Sequence, residues 1–310
     1  MNNSSNSTHL TSSNSEDFYL AFENLYRGST ESIQARQAAY LPYVTALQNF
    51  YPMLNALDLG CGRGEWLGLL KINGVVATGI DLNDAMLANC MENQLDVRKQ
   101  DAVSALKELE DSSLQIITGF HIAEHLPFDQ LIELSKEAHR VLSPGGLFIL
   151  ETPNSENVHV ACSTFYLDPT HTSPLPAKLL SFLFGYCGFE KTLQLSLNPD
   201  VEMDEAVHMS LLQVLMTGVG RDYALIGQKA SNISDIDSVL DTLYSQNIST
   251  LEEVSRRFDL KFSNASVMLQ DQQRQIQDQQ RQIQDQQRRV ARLETPLRFL
   301  KKIFSPILKK

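Results

Sequence analysis

The sequence has few of the features that mark several large classes of protein. Its 310 residues include only four cysteines, and no two of them form a C-x-x-C pair. The scatter argues against a disulfide framework or a thiolate zinc site and is typical of a reducing compartment. No apolar run approaches the ~18 residues of a membrane span. Residues 1–15, rich in Asn and Ser, lack the apolar core of a secretory signal, and we expect them to be disordered.

Positive charge is also scarce outside the C-terminus. The chain carries a net charge of −11. Residues 289–310 hold seven basic residues and one acid, a charge of +6, so residues 1–288 carry −17. Because phosphate electrostatics dominate non-specific nucleic-acid binding, we expect no nucleic-acid partner for so acidic a body.

Strand and helix patterns alternate through the first two thirds of the chain. Between residues 54 and 150 they predict a parallel sheet with helices on both faces. The expected strands span 54–59, 75–80, 95–100, 114–120, 146–151, 189–196 and 222–229, and a helix is expected over 176–186. The predicted fold is therefore α/β, a Rossmann-like, doubly wound, seven-stranded and mostly parallel sheet over 51–230, preceded by a helical segment over 16–50.

A seven-residue repeat dominates the helical region predicted for residues 231–295. QDQQRQI at 270–276 recurs at 277–283 and, imperfectly, at 284–290, which indicates a left-handed coiled coil over about 262–293. Apolar residues fall on every seventh position: Phe262, Leu269, Ile276, Ile283, Val290 and Leu297. A solvated Gln-rich helix or a disordered repeat is the alternative. Because this apolar row would otherwise be exposed, we expect a homo-oligomer, dimer or trimer.

The final segment combines bulky apolar residues with lysines. Pro296 is expected to end or kink the preceding helix. Residues 296–310 then suit an interfacial anchor on an anionic membrane surface, with a protein partner as the alternative. Paired lysines at 301–302 and 309–310 flank both apolar clusters and favour the membrane.

The most informative stretch is ALDLGCGRGE at 56–65. Glycines at alternate positions, Gly60, Gly62 and Gly64, let the backbone come close to a ligand. The next predicted strand ends on Asp81, and an acid there can accept both hydroxyls of a ribose. Asp58, placed in the turn, would repel a pyrophosphate but suits a cationic ligand that bears an amino acid.

These residues resemble the cofactor site of class I S-adenosylmethionine-dependent methyltransferases, a resemblance that covers residues 18–190. It implies that Asp58 and the three glycines hold the methionine moiety of S-adenosyl-L-methionine and that Asp81 binds its ribose. It further implies adenosine contacts along the following edge: Leu82, Asn83, Met86, Gln100, Asp101 and Ala102. Asp101 would accept a hydrogen bond from the adenine amino group, and it can equally cap the next helix.

In such enzymes the N-terminal helices form a lid over the cofactor. Arg36 falls where it can pair with the cofactor's carboxylate, and a plain surface charge is the alternative. Tyr19 falls where it can pack on the adenosyl group or the sulfonium, and core packing is the alternative.

HIAEHL at 121–126 matches the motif that follows the fourth strand and faces the transferred methyl. Methyl transfer to a hydroxyl needs an aligned acceptor and a base. His125 and His171 are the candidate bases, with Glu124 orienting one of them or acting itself, and His121 is assigned to the cofactor pocket. Alternatively His121, Glu124, His125 and His171 bind a divalent cation, which would lower the pKa of the acceptor hydroxyl.

The whole order of motifs most resembles the methyltransferase part of O-antigen chain-terminating proteins of bacterial lipopolysaccharide. The resemblance implies an O-methyltransferase that methylates the terminal sugar of a polysaccharide and ends its growth. It also implies a cytoplasmic protein, peripheral at the inner face of the inner membrane, beside a glycosyltransferase or polymerase. Rival hypotheses are a methyltransferase for another small, lipid-linked or RNA acceptor, and a membrane-tethered assembly scaffold with a methyltransferase-like fold.

Overall fold

The computed structural model describes residues 28–198, 212, 216, 218–231 and 250–304. The chain divides into two units, residues 1–251 and 252–310. The predicted disorder of residues 1–15, the position of Tyr19 and the end of the basic tail lie outside the described residues. No helix in the described ranges is both long and apolar enough to cross a membrane.

The first unit is built around a seven-stranded sheet, as predicted. Its strands are β1 (Asn55–Leu59), β2 (Val76–Asp81), β3 (Asp96–Lys99), β4 (Leu114–Phe120), β5 (Leu142–Pro153), β6 (Lys191–Leu197) and β7 (Asp222–Gln228). Their order in the sheet is β3-β2-β1-β4-β5-β7-β6. The pairs from β3 to β5 are parallel, whereas β7 runs antiparallel to both β5 and β6. The strand order reverses between β1 and β4, and such a reversal opens a crevice at the carboxyl ends of the strands.

Helices cover both faces of this sheet. They are α1 (Thr30–Gln37), α2 (Leu41–Gln48), α3 (Glu65–Ile72), α4 (Asp84–Glu92), α5 (Ala102–Lys107), α6 (Phe128–Val141), α7 (Val158–Cys162) and α8 (Ala177–Tyr186). Short 3-10 turns lie at Ala38–Tyr40, Ala123–His125 and Thr164–Leu167. Successive strand residues point to opposite faces. Phe148 therefore packs in one buried cluster with Phe184, and Ile149 in the other with Trp66.

The start of β5 differs from the sequence prediction. The fifth strand was expected at 146–151, but β5 already begins at Leu142 and includes Ser143, Pro144 and Gly145. Leu142 pairs with Leu114, and the register then shifts before Ile116 pairs with Leu147. Pro144 is accommodated in this irregularity, because a bulge tolerates a proline, which cannot donate a ladder hydrogen bond.

The second unit consists, where described, of one helix, α9 (Leu251–Phe304), of 54 residues. The apolar heptad residues from Phe262 to Val290 are all more than half exposed on it. Asp271 and Arg274 form an i,i+3 ion pair at 3.7 Å, and the next heptad repeats the pair. Pro296 was expected to end or kink the helix; an end there is wrong, because α9 continues through Pro296 to Phe304, and the kink stays a prediction. An internal proline costs about 3 kcal/mol, and this penalty does not stop a helix that good helix formers continue on both sides.

Candidate functional site

The glycine-rich turn joins β1 to α3 at the carboxyl edge of the sheet. Gly60, Gly62 and Gly64 have φ angles of +67°, +54° and +81°. A Cβ on Gly64 would lie 2.5 Å from Leu95 Cδ1 and 2.8 Å from Cys90 Sγ. Other residues rarely adopt this backbone, and at Gly64 they would also collide with their neighbours. The turn therefore presents bare backbone to the crevice.

Asp81, the last residue of β2, is held by two backbone amides. Its Oδ2 accepts a hydrogen bond from Gly62 N at 2.9 Å, and its Oδ1 accepts one from Asn83 N at 2.8 Å. Each carboxylate oxygen keeps a further lone pair. The half-buried Asp81 carboxylate is thus fixed in orientation and can still accept hydrogen bonds from a pair of hydroxyls.

The residues after Asp81 differ in their exposure and contacts. Leu82 is 64% exposed and Met86 is buried. Asn83 caps α4, since its Oδ1 accepts hydrogen bonds from the N–H groups of Ala85 and Met86. Leu82 is therefore the side chain best placed for contact with a ligand at this edge.

Asp101 caps the helix that follows β3. Its Oδ1 accepts a hydrogen bond from Ser104 N at 2.9 Å. Gln100 beside it is half-buried, and Ala102 is buried under the first turn of α5. The structure thus shows Asp101 in the helix-capping role, one of the two roles expected for it. The adenine contact of Asp101 stays a prediction, and the two roles are compatible.

Asp58 lies within β1 and not in the turn, which corrects its expected place. Strand pairing with Gly79 on one side and Thr118 on the other continues through it. The Asp58 side chain is 1% exposed, and its Oδ1 accepts a hydrogen bond from Thr118 Oγ1 at 2.7 Å. Its carboxylate therefore ties β1 to β4 beneath the turn.

The N-terminal helices reach the same edge through a residue that the sequence did not single out. Tyr40 is fully buried, and its hydroxyl donates a hydrogen bond to Glu151 Oε2 at the end of β5. Arg36 is exposed on α1. Burial raises the pKa of Asp222, and the positive charge of Arg36 acts in the opposite direction with a smaller effect. This arrangement places the first helices beside the crevice.

His121 lies among three carboxylates directly after β4. Its Nδ1 is 3.1 Å from Glu124 Oε1, and its Nε2 is 3.4 Å from Glu151 Oε1 and 3.9 Å from Asp222 Oδ1. Burial works against protonation of the ring. The contacts with the acids outweigh that effect and raise the pKa of His121 well above 6.5. The residue also has a φ of +55°, a conformation that surrounding contacts must hold.

Glu124 is buried beside His121 and remains charged. Besides His121, it accepts a hydrogen bond from Thr152 Oγ1 on its Oε2 at 2.9 Å. Burial raises the pKa of Glu124, but the hydrogen bond with His121 and the charges of His121 and His125 together outweigh burial, so the net shift is downward. The hydrogen bonds of the Glu124 side chain go to His121 and Thr152, and its role in orienting a candidate base, or in acting as the base itself, stays a prediction.

A neighbouring hydroxyl determines which ring nitrogen of His125 carries the hydrogen. Thr170 Oγ1 donates to Asp168 Oδ1 at 2.6 Å and lies 2.9 Å from His125 Nδ1. A hydroxyl has one proton, so Nδ1–H of His125 must be the donor in the second bond. The lone pair is then on Nε2. Burial lowers the pKa of His125 below 6.5, so the ring is neutral at higher pH.

His171 lies against His125, with 4.8 Å between ring centroids. Its Nδ1 is 2.6 Å from the carbonyl oxygen of Phe165. A carbonyl can only accept, so Nδ1 carries the hydrogen and the neutral ring keeps its lone pair on Nε2. The two histidines that the sequence suggested as bases are thus adjacent.

The four residues suggested for a metal do not form one group. Ligand atoms of Glu124, His125 and His171 lie within 4.8 Å of one another, whereas His121 groups with Glu151 and Asp222. A protonated His121 is also a poor ligand. Within the described residues, the possible cation ligands beside the candidate bases are therefore three: Glu124, His125 and His171.

Comparisons with known proteins now decide the family. A family described as "Methyltransferase domain" matches residues 31–194. This chain belongs to the class I S-adenosylmethionine-dependent methyltransferases. A crystal structure of a SAM-dependent methyltransferase from Archaeoglobus fulgidus has 30% sequence identity and a TM-score of 0.60, covering 68% of this chain and all of that one.

Curated relatives of this methyltransferase match a shorter region. A probable S-adenosylmethionine-dependent methyltransferase from Mycolicibacterium smegmatis is 32% identical over 136 residues, which is 44% of this chain and 52% of that protein. A ubiquinone biosynthesis O-methyltransferase from Pseudomonas putida is 30% identical over 103 residues, 32% of this chain and 44% of that protein. The chain therefore spans about half the length of the curated relatives it matches.

The crevice of this methyltransferase fits S-adenosyl-L-methionine. The turn packs at Gly64 against Leu95 and Cys90 with no space for a Cβ, and its three glycines carry no side chain that would hold a ligand away from the backbone. Asp81 is fixed with lone pairs available for ribose hydroxyls. When bound, the cofactor supplies an electrophilic methyl group on a sulfonium.

Removal of the Asp81 carboxylate should abolish detectable binding of S-adenosyl-L-methionine. Two hydrogen bonds to a charged group account for roughly 100-fold or more in affinity. Isothermal titration calorimetry of Asp81→Ala, and of the similarly shaped Asp81→Asn, measures this. Asp84→Ala is the matched control, because Asp84 is exposed and pairs with Lys99 at the surface. Unchanged affinity in both Asp81 variants would contradict the cofactor assignment.

Proposed function

We propose that this methyltransferase methylates a hydroxyl of the terminal, non-reducing sugar of a bacterial polysaccharide such as an O-antigen. The observation that carries the O-methylation is the adjacent pair of imidazoles, His125 and His171, whose Nδ1 atoms hydrogen-bond to Thr170 and to the carbonyl oxygen of Phe165, so that each neutral ring has its lone pair on Nε2. The similarity to a ubiquinone biosynthesis O-methyltransferase agrees with an oxygen acceptor. A methyl ether removes the nucleophile that the next glycosyl transfer requires, so the reaction would end chain growth.

His125 is the general base in this proposal. A sugar hydroxyl is a weak acid, so a base contributes most while the new bond forms. The Nε2 of His125 takes the proton, and Thr170 holds Nδ1–H so that the lone pair stays on Nε2. Asp168 fixes the Thr170 hydroxyl and lies near the charge that develops on the ring. Thr170 and Asp168 are positioning residues.

Loss of the His125 imidazole should lower kcat by roughly 100-fold to 10,000-fold, the usual contribution of a general base. Wild-type activity should fall as the pH drops through the pKa of His125, below 6.5, because the protonated ring cannot accept a proton. Initial rates from pH 5 to 8 test both points. His139→Ala is the control, since His139 packs on Phe189. Full activity of His125→Ala would reject His125 as the base.

A divalent cation held by Glu124, His125 and His171 is a second candidate at the same place. Their clustered ligand atoms favour it, and imidazole and carboxylate together suit several divalent metals. Turnover that stops in EDTA and returns with added Mg²⁺ or Zn²⁺ would favour the metal. Turnover that EDTA leaves unchanged would favour His125 as a simple base.

The acceptor itself is tested in cells. Mass spectrometry of polysaccharide from strains with and without the gene should show a terminal methyl ether only with the gene. Chains should grow longer without it. A strain with Asp81→Ala is the matched control, because it keeps the protein and removes the cofactor contact. Identical polysaccharides in all strains would favour the rival acceptors, a small or lipid-linked molecule, or the scaffold hypothesis.

The remaining parts of the proposal concern partners and place. The exposed apolar row on α9 suits self-association into a dimer or trimer. Its neighbours at the d, e and g positions of the heptad are glutamines, Gln272, Gln273 and Gln275 in one repeat, so identical chains meet without charge repulsion. The basic tail over 296–310 would hold the protein at the inner face of the inner membrane, near a glycosyltransferase partner.

Charges in the apolar row should dissociate the oligomer. The double variant Ile276→Asp, Ile283→Asp places carboxylates where identical chains would meet, and sedimentation velocity should then show a monomer. The control is Arg274→Gln with Arg281→Gln, on the outer face of the heptads, which should leave the oligomer intact. A wild-type protein that sediments as a monomer would reject self-association.

A further inference from the structure

A surface segment with almost no charge lies beside the candidate bases. Charged residues make up 20% of the whole chain. Residues 157–177, however, contain one residue of the types Asp, Glu, Lys and Arg, and this residue, Asp168, is buried. The exposed side chains of the segment are mainly apolar, as in Tyr166 and Leu167, or bear a hydroxyl, as in Ser173. Such a surface suits an uncharged ligand that presents both C–H and hydroxyl groups.

The same segment holds both candidate bases in position. Asp168 accepts the hydrogen of the Thr170 hydroxyl, whose oxygen accepts Nδ1–H of His125. The carbonyl oxygen of Phe165 accepts Nδ1–H of His171. A molecule that binds on this segment therefore lies close to the two imidazoles.

A series of ring contacts leads from these imidazoles to an exposed aromatic side chain. The ring centroid of His171 lies 4.8 Å from that of His125 and 4.5 Å from that of Phe165. Phe165 is buried, and its ring meets the ring of Tyr166 edge-on, with 5.4 Å between centroids. Tyr166 is 65% exposed. The series therefore reaches solvent at Tyr166.

We propose that Tyr166 binds a sugar ring of the acceptor and that this contact gives the enzyme its preference for uncharged sugars. The inference rests on the proposed function, because it requires a saccharide at the same site. A pyranose presents a face of C–H groups, and the negative face of an aromatic ring attracts their partial positive charge. A tyrosine side chain offers a large contact area and loses little conformational entropy when it is held.

The lack of charge separates a sugar from the phosphate-bearing acceptors among the rival hypotheses. RNA and lipid-linked phosphates are bound chiefly through lysines and arginines that pair with phosphate oxygens. Residues 157–177 contain no lysine and no arginine. A neutral sugar needs no such partner, and its hydroxyls can bond to exposed hydroxyls such as that of Ser173.

The kinetics of Tyr166→Ala test the contact. The probe is a set of short neutral oligosaccharides, prepared by partial hydrolysis of polysaccharide from the strain that lacks the gene. Their KM should rise roughly tenfold, which is the loss expected for one aromatic contact. The kcat at saturating acceptor and the calorimetric affinity for S-adenosyl-L-methionine should stay as in the wild type. Tyr166→Phe and Tyr166→Trp keep an aromatic ring and should keep the wild-type KM.

Tyr186→Ala is the matched control. Tyr186 on α8 is 66% exposed, and its ring stacks with Phe182 and lies 5.6 Å from Lys136 Nζ. Its loss should leave the KM for the oligosaccharides unchanged. Saturation-transfer NMR gives a second readout, because the sugar C–H protons should receive saturation from the wild type and from Tyr186→Ala, and far less from Tyr166→Ala.

Three outcomes would overturn the inference, and they differ in what they say of the proposed function. A wild-type KM in Tyr166→Ala would reject the sugar contact and leave the proposed function intact. A lower kcat with an unchanged KM would assign Tyr166 a structural role that acts through Phe165 on His171. A wild-type enzyme that methylates none of these oligosaccharides would reject the proposed function, and the inference with it.

Discussion

The hydrogen bond between the Gly62 amide and the Asp81 carboxylate is the contact on which the site depends. It links the two consecutive strand–helix turns at the sheet reversal, since Asp81 also accepts the amide of Asn83 after β2. One carboxylate thereby fixes the glycine turn and its own orientation. Left-handed backbone at Gly64, where a Cβ would strike Leu95 and Cys90, keeps the turn close enough for this bond. Bare backbone and an oriented acid are what a nucleoside that carries an amino acid requires.

At the opposite end of the crevice, two neighbouring histidines have different surroundings and opposite pKa shifts. His121 contacts three acids and its pKa is raised well above 6.5, whereas His125 is buried and its pKa is lowered. Neighbouring groups whose pKa values are pushed apart are a common sign of acid–base chemistry. The positive charge of His121 compensates the negative charges of the buried Glu124 and Glu151 carboxylates, which lowers the cost of burying them at this edge of the sheet. His125 and His171 are then available for an acceptor hydroxyl.

Local sequence patterns predicted most of the fold and the residues of the cofactor site at the edge of the sheet. They could not predict contacts between residues that are far apart in the sequence. All seven strands lie where the alternating strand and helix patterns predicted them, although β3 has only one apolar residue, Val97, and the alternating glycines with Asp81 follow from the short strand–helix unit. The bond of Tyr40 with Glu151 joins residues 111 positions apart, and no motif contains it. Likewise Asp222 reaches His121 only because β7 turns back along β5. Strand pairing through Asp58 and the passage of α9 through Pro296 reflect neighbours and flanking turns that outweigh single-residue preferences.

A crystal structure with S-adenosyl-L-homocysteine tests the central claim most directly. The ribose hydroxyls should lie within hydrogen-bond distance of both Asp81 carboxylate oxygens, above the glycine turn, with the adenine toward Asp101. The sulfur should point toward the end of β4, where His125 Nε2 lies. A nucleoside bound elsewhere, or a crevice filled by the protein's own side chains in the presence of saturating ligand, would contradict the account.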